Sequence, residues 1–347
     1  MAEFLGDSLI FIISQPRAGS TLLQRILAAH PKVHTSAEPW LMLHPLYALK
    51  GEGISAEFDS QLAYAALQDF LAYYADGEST YLQALRCMAG VLYERALQGT
   101  GAQFFLDKTP RYYFIIPELY RLFPEARFIF LIRNPLAVLY SILTTWVGSN
   151  LHWLARHRHD LLLAPTRILE GIQLVGPNAV VVRYEELVTN PEQCVQTLCE
   201  KLELDYRADM LAYGNASEVQ GRMGDQIGIH RYERPVTANL NKWHNLAGSP
   251  QWRHFALAYL ETLGEKTIEE MGYTFAELKQ VIEDGHASSG VPILPWHIAI
   301  RPQETWSRED WLVFKRVLAV RESGKIRGHL RFVRENYRPL IRSLLPV

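Results

Sequence analysis

The chain of 347 residues contains only three cysteines, Cys87, Cys194 and Cys199. Three are too few for a disulfide framework. Cys194 and Cys199 lie five apart in a segment that reads as helix, on different parts of its surface, which argues against a disulfide or a shared metal. A reducing compartment is the expected setting. Long apolar runs are absent, so no segment reaches membrane-spanning length. The N-terminus MAEFLGDSLIFIIS has no basic region ahead of its short apolar run, which reads as a first strand rather than a targeting signal. An excess of charge of one sign is missing too: the formal net charge is −2, and no overall field draws the molecule toward nucleic acid. There is no internal repeat and no low-complexity tract. With 48% hydrophobic and 21% charged residues, the composition is that of a soluble protein with a substantial core, and a cytoplasmic location is expected.

Four short apolar runs rich in β-branched or aromatic residues predict strands over Leu9–Ser14, Gln103–Leu106, Arg127–Ile132 and Ala179–Arg183. Each is nearly continuous, as in strands buried on both faces of a parallel sheet. Helical spacing predicts helices over Ser20–Ala29, Ile115–Leu122, Pro135–Thr145 and Glu192–Leu202. The alternation implies an α/β fold in three layers around a central parallel sheet. Residues 55–100 and 151–175 read as helical insertions, and Gly214–Leu246 as a loop-rich stretch. The character changes at about Gly285, which divides the chain into a main domain, 1–284, and a C-terminal helical extension, 285–347, packed on it.

The first strand runs into Ser14-Gln15-Pro16-Arg17-Ala18-Gly19-Ser20-Thr21-Leu22, and a helix follows at once. A strand–turn–helix with glycine and hydroxyl residues at the turn is a recipe for an anion cradle. Glycine lets backbone N–H groups converge, Ser20 and Thr21 add donors, and the helix N-terminus favours negative charge. Arg17 contributes a fixed cationic fork. A nucleotide kinase with a P-loop would carry G-x-x-x-x-G-K-[ST] and an acidic residue for magnesium after a later strand. Here the first glycine and the lysine are missing, and the later strand RFIFLI ends in Arg133. The loop suits a phosphate held by protein cations, with no metal.

Pro16-Arg17-x-Gly19-Ser20-Thr21-Leu22 resembles the 5′-phosphosulfate loop of the sulfotransferase family. Arg133-Asn134-Pro135 with Ser141 eight residues on resembles that family's 3′-phosphate motif. The spacing is physically reasonable, since a residue at a strand end and one two turns into the next helix can face one crevice. Glu38, within His30-Pro31-x6-Glu38-Pro39-Trp40, stands where the protein-tyrosine sulfotransferase and related bacterial branch has its catalytic glutamate. Asp107-Lys108-Thr109-Pro110 resembles that branch's catalytic-lysine segment. Tyr184-Glu185-Glu186-Leu187 resembles an element whose tyrosine lies near the cofactor. Gly221-Arg222-Met223-Gly224-Asp225-Gln226 resembles a loop closing over the 3′-phosphate, and Lys242-Trp243 a Lys-Trp pair of the same branch. The matches span about residues 8–245.

The resemblance implies a P-loop-like fold with about five strands. It also implies 3′-phosphoadenosine-5′-phosphosulfate (PAPS) as donor and 3′-phosphoadenosine 5′-phosphate (PAP) as product. Glu38 would be the base, with Lys108 and Arg17 stabilising the leaving oxygen. Arg17, Ala18, Gly19, Ser20, Thr21, Arg133, Ser141, Tyr184, Arg222, Gly224 and Lys242 would hold the nucleotide. The expected acceptor is a hydroxyl or amine of a small molecule such as a secondary metabolite or carbohydrate; a peptide tyrosine is the second reading. A P-loop kinase and a catalytically inactive PAP-binding protein are the readings from other classes.

Several residues carry a plain structural reading beside the chemical one. Glu38 could cap a loop, Lys108 could be an exposed lysine after a strand, and His30 or His34 could serve as base instead. Trp40 could line an acceptor pocket or fill the core. His152, His157 and His159 do not share one helical face well and read as a solvated polar surface rather than a metal site. From Lys315 to Arg342 there are nine Lys/Arg and two Glu with interleaved apolar residues. This reads as a packed helix with a solvated basic face, the alternative being contact with a membrane surface.

Overall fold

LIFIIS forms strand β1, Leu9–Ser14, with all six residues buried, as a run apolar on both faces of the pleat requires. The computed structural model describes residues 4–215, 232–285, 292–323, 327 and 330–333. They fall into two units. One comprises Met1–Arg133 and Ala164–Thr237, the other Asn134–Leu163 and Ala238–Val347.

The first unit holds a five-stranded sheet. Its members are β1, β2 (Val33–Thr35), β3 (Phe104–Lys108), β4 (Arg127–Ile132) and β5 (Ala179–Arg183). The order is β2-β3-β1-β4-β5 and every pairing is parallel. β1 lies between β3 and β4, with Ile12 opposite both Lys108 and Ile129. Around β1, the Phe11 ring stacks on Phe123 and Phe128 at 5.8 and 5.4 Å and meets Tyr112 at 6.1 Å. Truncating such a fully buried ring costs about 3–5 kcal/mol.

Three of the expected strands have the bounds read from the sequence. The fourth, β3, begins one residue later and continues through Asp107 and Lys108. Both charged residues are buried there because each has polar partners. β2 was not foreseen; three residues are too few to show a period. β5 departs from the expected two-sided burial. Val180 and Val182 are buried while Val181 is 42% exposed, the alternation of a strand at the sheet's margin.

Helix α1, Ser20–Ala28, follows β1 directly. The first expected insertion forms α2, Ser60–Leu71, and α3, Gly77–Leu97. Asp59 caps α2 by accepting from the N–H groups of Gln61 and Leu62 at 3.0 Å. Of the second expected insertion, the helix Ala164–Val175 lies in this unit, while the 3₁₀ segment Leu151–His157 and the short helix Arg158–Leu162 belong to the second unit.

In the second unit the helix after β4 spans Pro135–Ile142, capped by Asn134 with proline at its first position. It stops short of the expected Thr145 because Leu143–Val147 winds more widely, as a π-helix. The C-terminal helix Arg308–Ser323 buries Val317, Ala319 and Val320 and exposes Lys315 and Arg316.

Candidate active site

Because all five strands are parallel, their carboxyl ends share one edge of the sheet, where open α/β folds carry their ligand crevice. Across that edge, β2 leads to Glu38, β3 ends on Lys108, β1 opens into the loop 15–19, β4 delivers Arg133 and β5 delivers Tyr184. Residues up to 146 positions apart in sequence meet here because strand order, not chain order, sets neighbours.

The loop is bent by two left-handed residues, Arg17 at φ 72° and Gly19 at φ 100°. Such a conformation disfavours side chains other than glycine, and at Arg17 it is held from outside. The Arg133 guanidinium donates Nη1–H to the Arg17 carbonyl at 2.9 Å. Gly19 is needed for a second reason. A Cβ there would come within 2.4 Å of Cδ2 of Tyr184. The Tyr184 ring, itself buried, carries the Arg133 guanidinium on its face at 4.0 Å, a cation–π contact. Gly19, Tyr184 and Arg133 thus form one stacked column. The first turn of α1 has no acidic residue and no capping side chain on its N–H groups, which suits an anion at this end of the helix. Ala18 and Ser20 are buried; Thr21 is half-buried.

Lys108 is 1% exposed, so the reading of an exposed lysine is overturned. Its Nζ donates to Glu38 Oε1 at 2.7 Å and lies 3.5 Å from Thr21 Oγ1. One buried cation therefore touches both the candidate base and the phosphate loop. The second oxygen of Glu38, Oε2, accepts from the indole Nε1–H of Trp40 at 3.1 Å. Trp40 does not fill the core. It is half-buried, at φ 53°, with the Arg111 guanidinium 5.5 Å from its ring.

Beneath this layer is a group that sequence reasoning did not single out. Asp107 is fully buried and accepts from three hydroxyls: Tyr93 at 2.8 Å, Tyr112 at 3.0 Å and Thr109 at 2.8 Å. Burial pushes its carboxyl up to about 6, against the opposing pull of those donors. Tyr112 in turn accepts from Met42 N–H at 3.2 Å, and Thr109 Oγ1 from Trp40 N–H at 3.4 Å. The network ties the segment 40–42 to the end of β3. Gln24 of α1 does the same for the segment after β2, donating to Thr35 Oγ1 and the Ser36 carbonyl, each at 2.8 Å. An aspartate next to the lysine in an apolar run was the only signal available for this layer.

His30 is 2% exposed. Its Nδ1 accepts from Lys32 N–H at 3.1 Å and its Nε2 faces the Asp205 carbonyl at 3.0 Å. These two bonds fix a neutral ring, and burial lowers its basicity further. His30 is thereby a structural residue, while the His34 ring lies against Phe105 at 6.1 Å.

Ser141 and Lys242 belong to the second unit. Ser141 is half-buried on the helix Pro135–Ile142, and Lys242 is exposed at the start of the turn Lys242–Gly248. Arg222 and Gly224 lie outside the described residues. The expectation of a solvated histidine surface is corrected in part. His157 stacks on Trp146 at 4.8 Å and faces the buried Asp160 at 3.5 Å, and His152 packs edge-on to Phe314, while His159 is exposed. Among the described residues no group of three His, Cys, Asp or Glu is arranged to hold a metal, and no helix is long and apolar enough to cross a membrane.

Comparison with known proteins adds an independent line. The model of the family described as "Sulfotransferase family" matches residues 9–208. Nodulation protein NoeE of Sinorhizobium fredii is 30% identical over 216 residues, 56% of this chain and 50% of that protein. Protein-tyrosine sulfotransferase 1 of Danio rerio is 26% identical over 248 residues, covering 68% of this chain and 65% of the relative. The chain thus spans half the length of NoeE and somewhat under two thirds of the zebrafish protein. A solved sulfotransferase domain from the curacin biosynthetic pathway superposes with a TM-score of 0.46 at 21% identity, covering 70% of this chain and 91% of that one.

Proposed function

The chain belongs to the sulfotransferase family, and from that premise we propose that it transfers a sulfuryl group from PAPS to a hydroxyl or amine of a small-molecule acceptor in the cytoplasm. The observation that carries this reading is the position of Lys108 Nζ, 2.7 Å from Glu38 Oε1 and 3.5 Å from Thr21 Oγ1. A base, a cation and a phosphate loop are the three parts that in-line sulfuryl transfer requires.

The residues fit an anionic nucleotide. The bent loop ends in a helix whose first turn has no acidic side chain, and Arg133 is held between the Tyr184 face and the loop's own carbonyl. Arg17, Ala18, Gly19, Ser20 and Thr21 would hold the 5′ end. Arg133 would hold the 3′-phosphate. The donor's contribution is a sulfuryl group activated by its attachment to a phosphate.

The chain's own residues supply the rest. Glu38 takes the acceptor's proton. Its carboxylate is then neutral, and the Lys108 charge that it had balanced is released toward the loop, where negative charge grows on the leaving oxygen. Proton transfer and leaving-group stabilisation are coupled through one buried ammonium. Base assistance of this kind contributes about 10²–10⁴-fold.

A second reading has the tyrosine of a peptide as acceptor, favoured by relatives that bear the name protein-tyrosine sulfotransferase. Isotopically labelled PAPS incubated with phenols, sugars, amines and a tyrosine peptide, read by mass spectrometry, separates the two. Transfer to a non-peptide acceptor supports the first reading, and transfer to the peptide alone the second. PAP binding without transfer to any acceptor would overturn both.

A further inference from the structure

Trp40 is held in a conformation that needs an explanation. Its φ of 53° is left-handed, which for a bulky side chain is a genuine outlier, costing on the order of 1–3 kcal/mol. Three contacts maintain it. The Trp40 N–H points to Thr109 Oγ1 at 3.4 Å, and the Thr109 hydroxyl is itself oriented by donating to Asp107 at 2.8 Å. The indole face lies 5.5 Å from the Arg111 guanidinium, and the indole Nε1–H donates to Glu38 Oε2 at 3.1 Å. The strained turn brings this ring back onto a side chain only two residues earlier.

We propose that Trp40 is a positioning residue for the base: its indole N–H fixes Oε2 of Glu38 while Lys108 fixes Oε1, so the carboxylate is held at both oxygens in one orientation toward the acceptor. This rests on the reading of Glu38 as base. An indole suits the task because it is a donor only. It cannot take the proton that Glu38 receives, and it cannot compete with the acceptor as a proton source at neutral pH. The two donors occupy two of about four lone-pair directions of the carboxylate, leaving others for the acceptor's hydroxyl. Lys108 alone would leave the carboxylate free to turn about its final bond, and misorientation of a base lowers the chemical step without weakening nucleotide binding.

Two measurements test this. In protein labelled with ¹⁵N at the indole nitrogens, Glu38→Ala should shift the Nε1–H resonance of Trp40, which Trp40→Phe identifies by its loss. In parallel, PAP release from PAPS is followed with the acceptor panel present. The proteins are wild type, Trp40→Phe, and a protein carrying 3-benzothienylalanine at position 40, which keeps the ring's shape but lacks the N–H. The expected result is at least a fivefold fall in release for both altered proteins, with PAP affinity within twofold of wild type. An unmoved resonance overturns the proposal. So does a fall of less than fivefold in the benzothienylalanine protein, or a fall matched by an equal loss of PAP affinity. Wild-type release by Glu38→Gln would instead remove the base itself, whatever Trp40 does.

Discussion

Lys108 Nζ lies 2.7 Å from Glu38 Oε1, with the lysine side chain 1% and the glutamate side chain 13% exposed. The pair joins the last residue of β3 to the segment after β2, and it constrains what substitution can do. Removing one member of a buried ion pair leaves an uncompensated charge and costs about 3–5 kcal/mol, whereas replacing both by neutral groups is much milder.

A double-mutant cycle separates this structural role from the chemical one. Glu38→Gln and Lys108→Met each lower turnover by about 10²–10⁴-fold, and Lys108→Met or Glu38→Ala also lowers stability. The double variant Glu38→Gln, Lys108→Met regains most of the stability lost in Lys108→Met and none of the activity. Urea unfolding and PAP release are the readouts. Additive stability losses would show that the two charges do not depend on each other.

Gly19→Ala should weaken PAP binding at least tenfold. A methyl group there meets the Tyr184 ring at 2.4 Å, at a backbone φ of +100°, which adds roughly 1–2 kcal/mol of backbone strain. The ring must move, and the Arg133 guanidinium 4.0 Å above it moves too. Calorimetric titration of PAP into the variant checks this.

Asp107 makes a pH prediction. Its folded carboxyl is raised to about 6 from an ordinary 3.8, with burial as the leading cause. Between those values the folded protein holds a proton that the unfolded chain releases. This group's contribution to stability is therefore fully present below about 3.8 and lost as the pH rises through about 6. Asp107→Asn removes that dependence. Urea unfolding at pH 4.5 and 7.5 should show the stability of wild type relative to Asp107→Asn falling at the higher pH; a constant difference would contradict the assignment.

His30→Gln should retain turnover within about threefold while losing roughly 1–2 kcal/mol of stability. An amide side chain offers one donor and one acceptor, but not at the imidazole spacing that serves Asp205 and Lys32. A loss of turnover as large as that of Glu38→Gln would return His30 to the list of bases.

Much of the site was legible because its parts are local. β1, the bend at Gly19 and helix α1 occupy twenty consecutive residues, and Arg133 announces itself by standing where a strand stops. Tertiary partners were not legible. For Lys108 the resemblance implied a catalytic role, but an exposed lysine stayed open because nothing near it in sequence shows that Glu38 and Thr21 bury it. The three hydroxyls around Asp107 come from α3, the residue after β3 and the turn Pro110–Phe114. The contact between Gly19 and Tyr184 bridges 165 positions and depends on β4 separating β1 from β5. β2 escaped notice because Val33–Thr35 offers only one and a half periods of alternation.

The most direct measurement is calorimetric titration of PAP into the wild-type protein and into Arg133→Ala. One nucleotide should bind per chain, ATP should bind more weakly, and the arginine variant should lose roughly tenfold to a hundredfold in affinity, as expected for a charge-assisted contact worth about 1.5–3 kcal/mol. A folded wild-type protein that gives no heat with PAP, or an arginine variant that binds it equally well, would contradict the account.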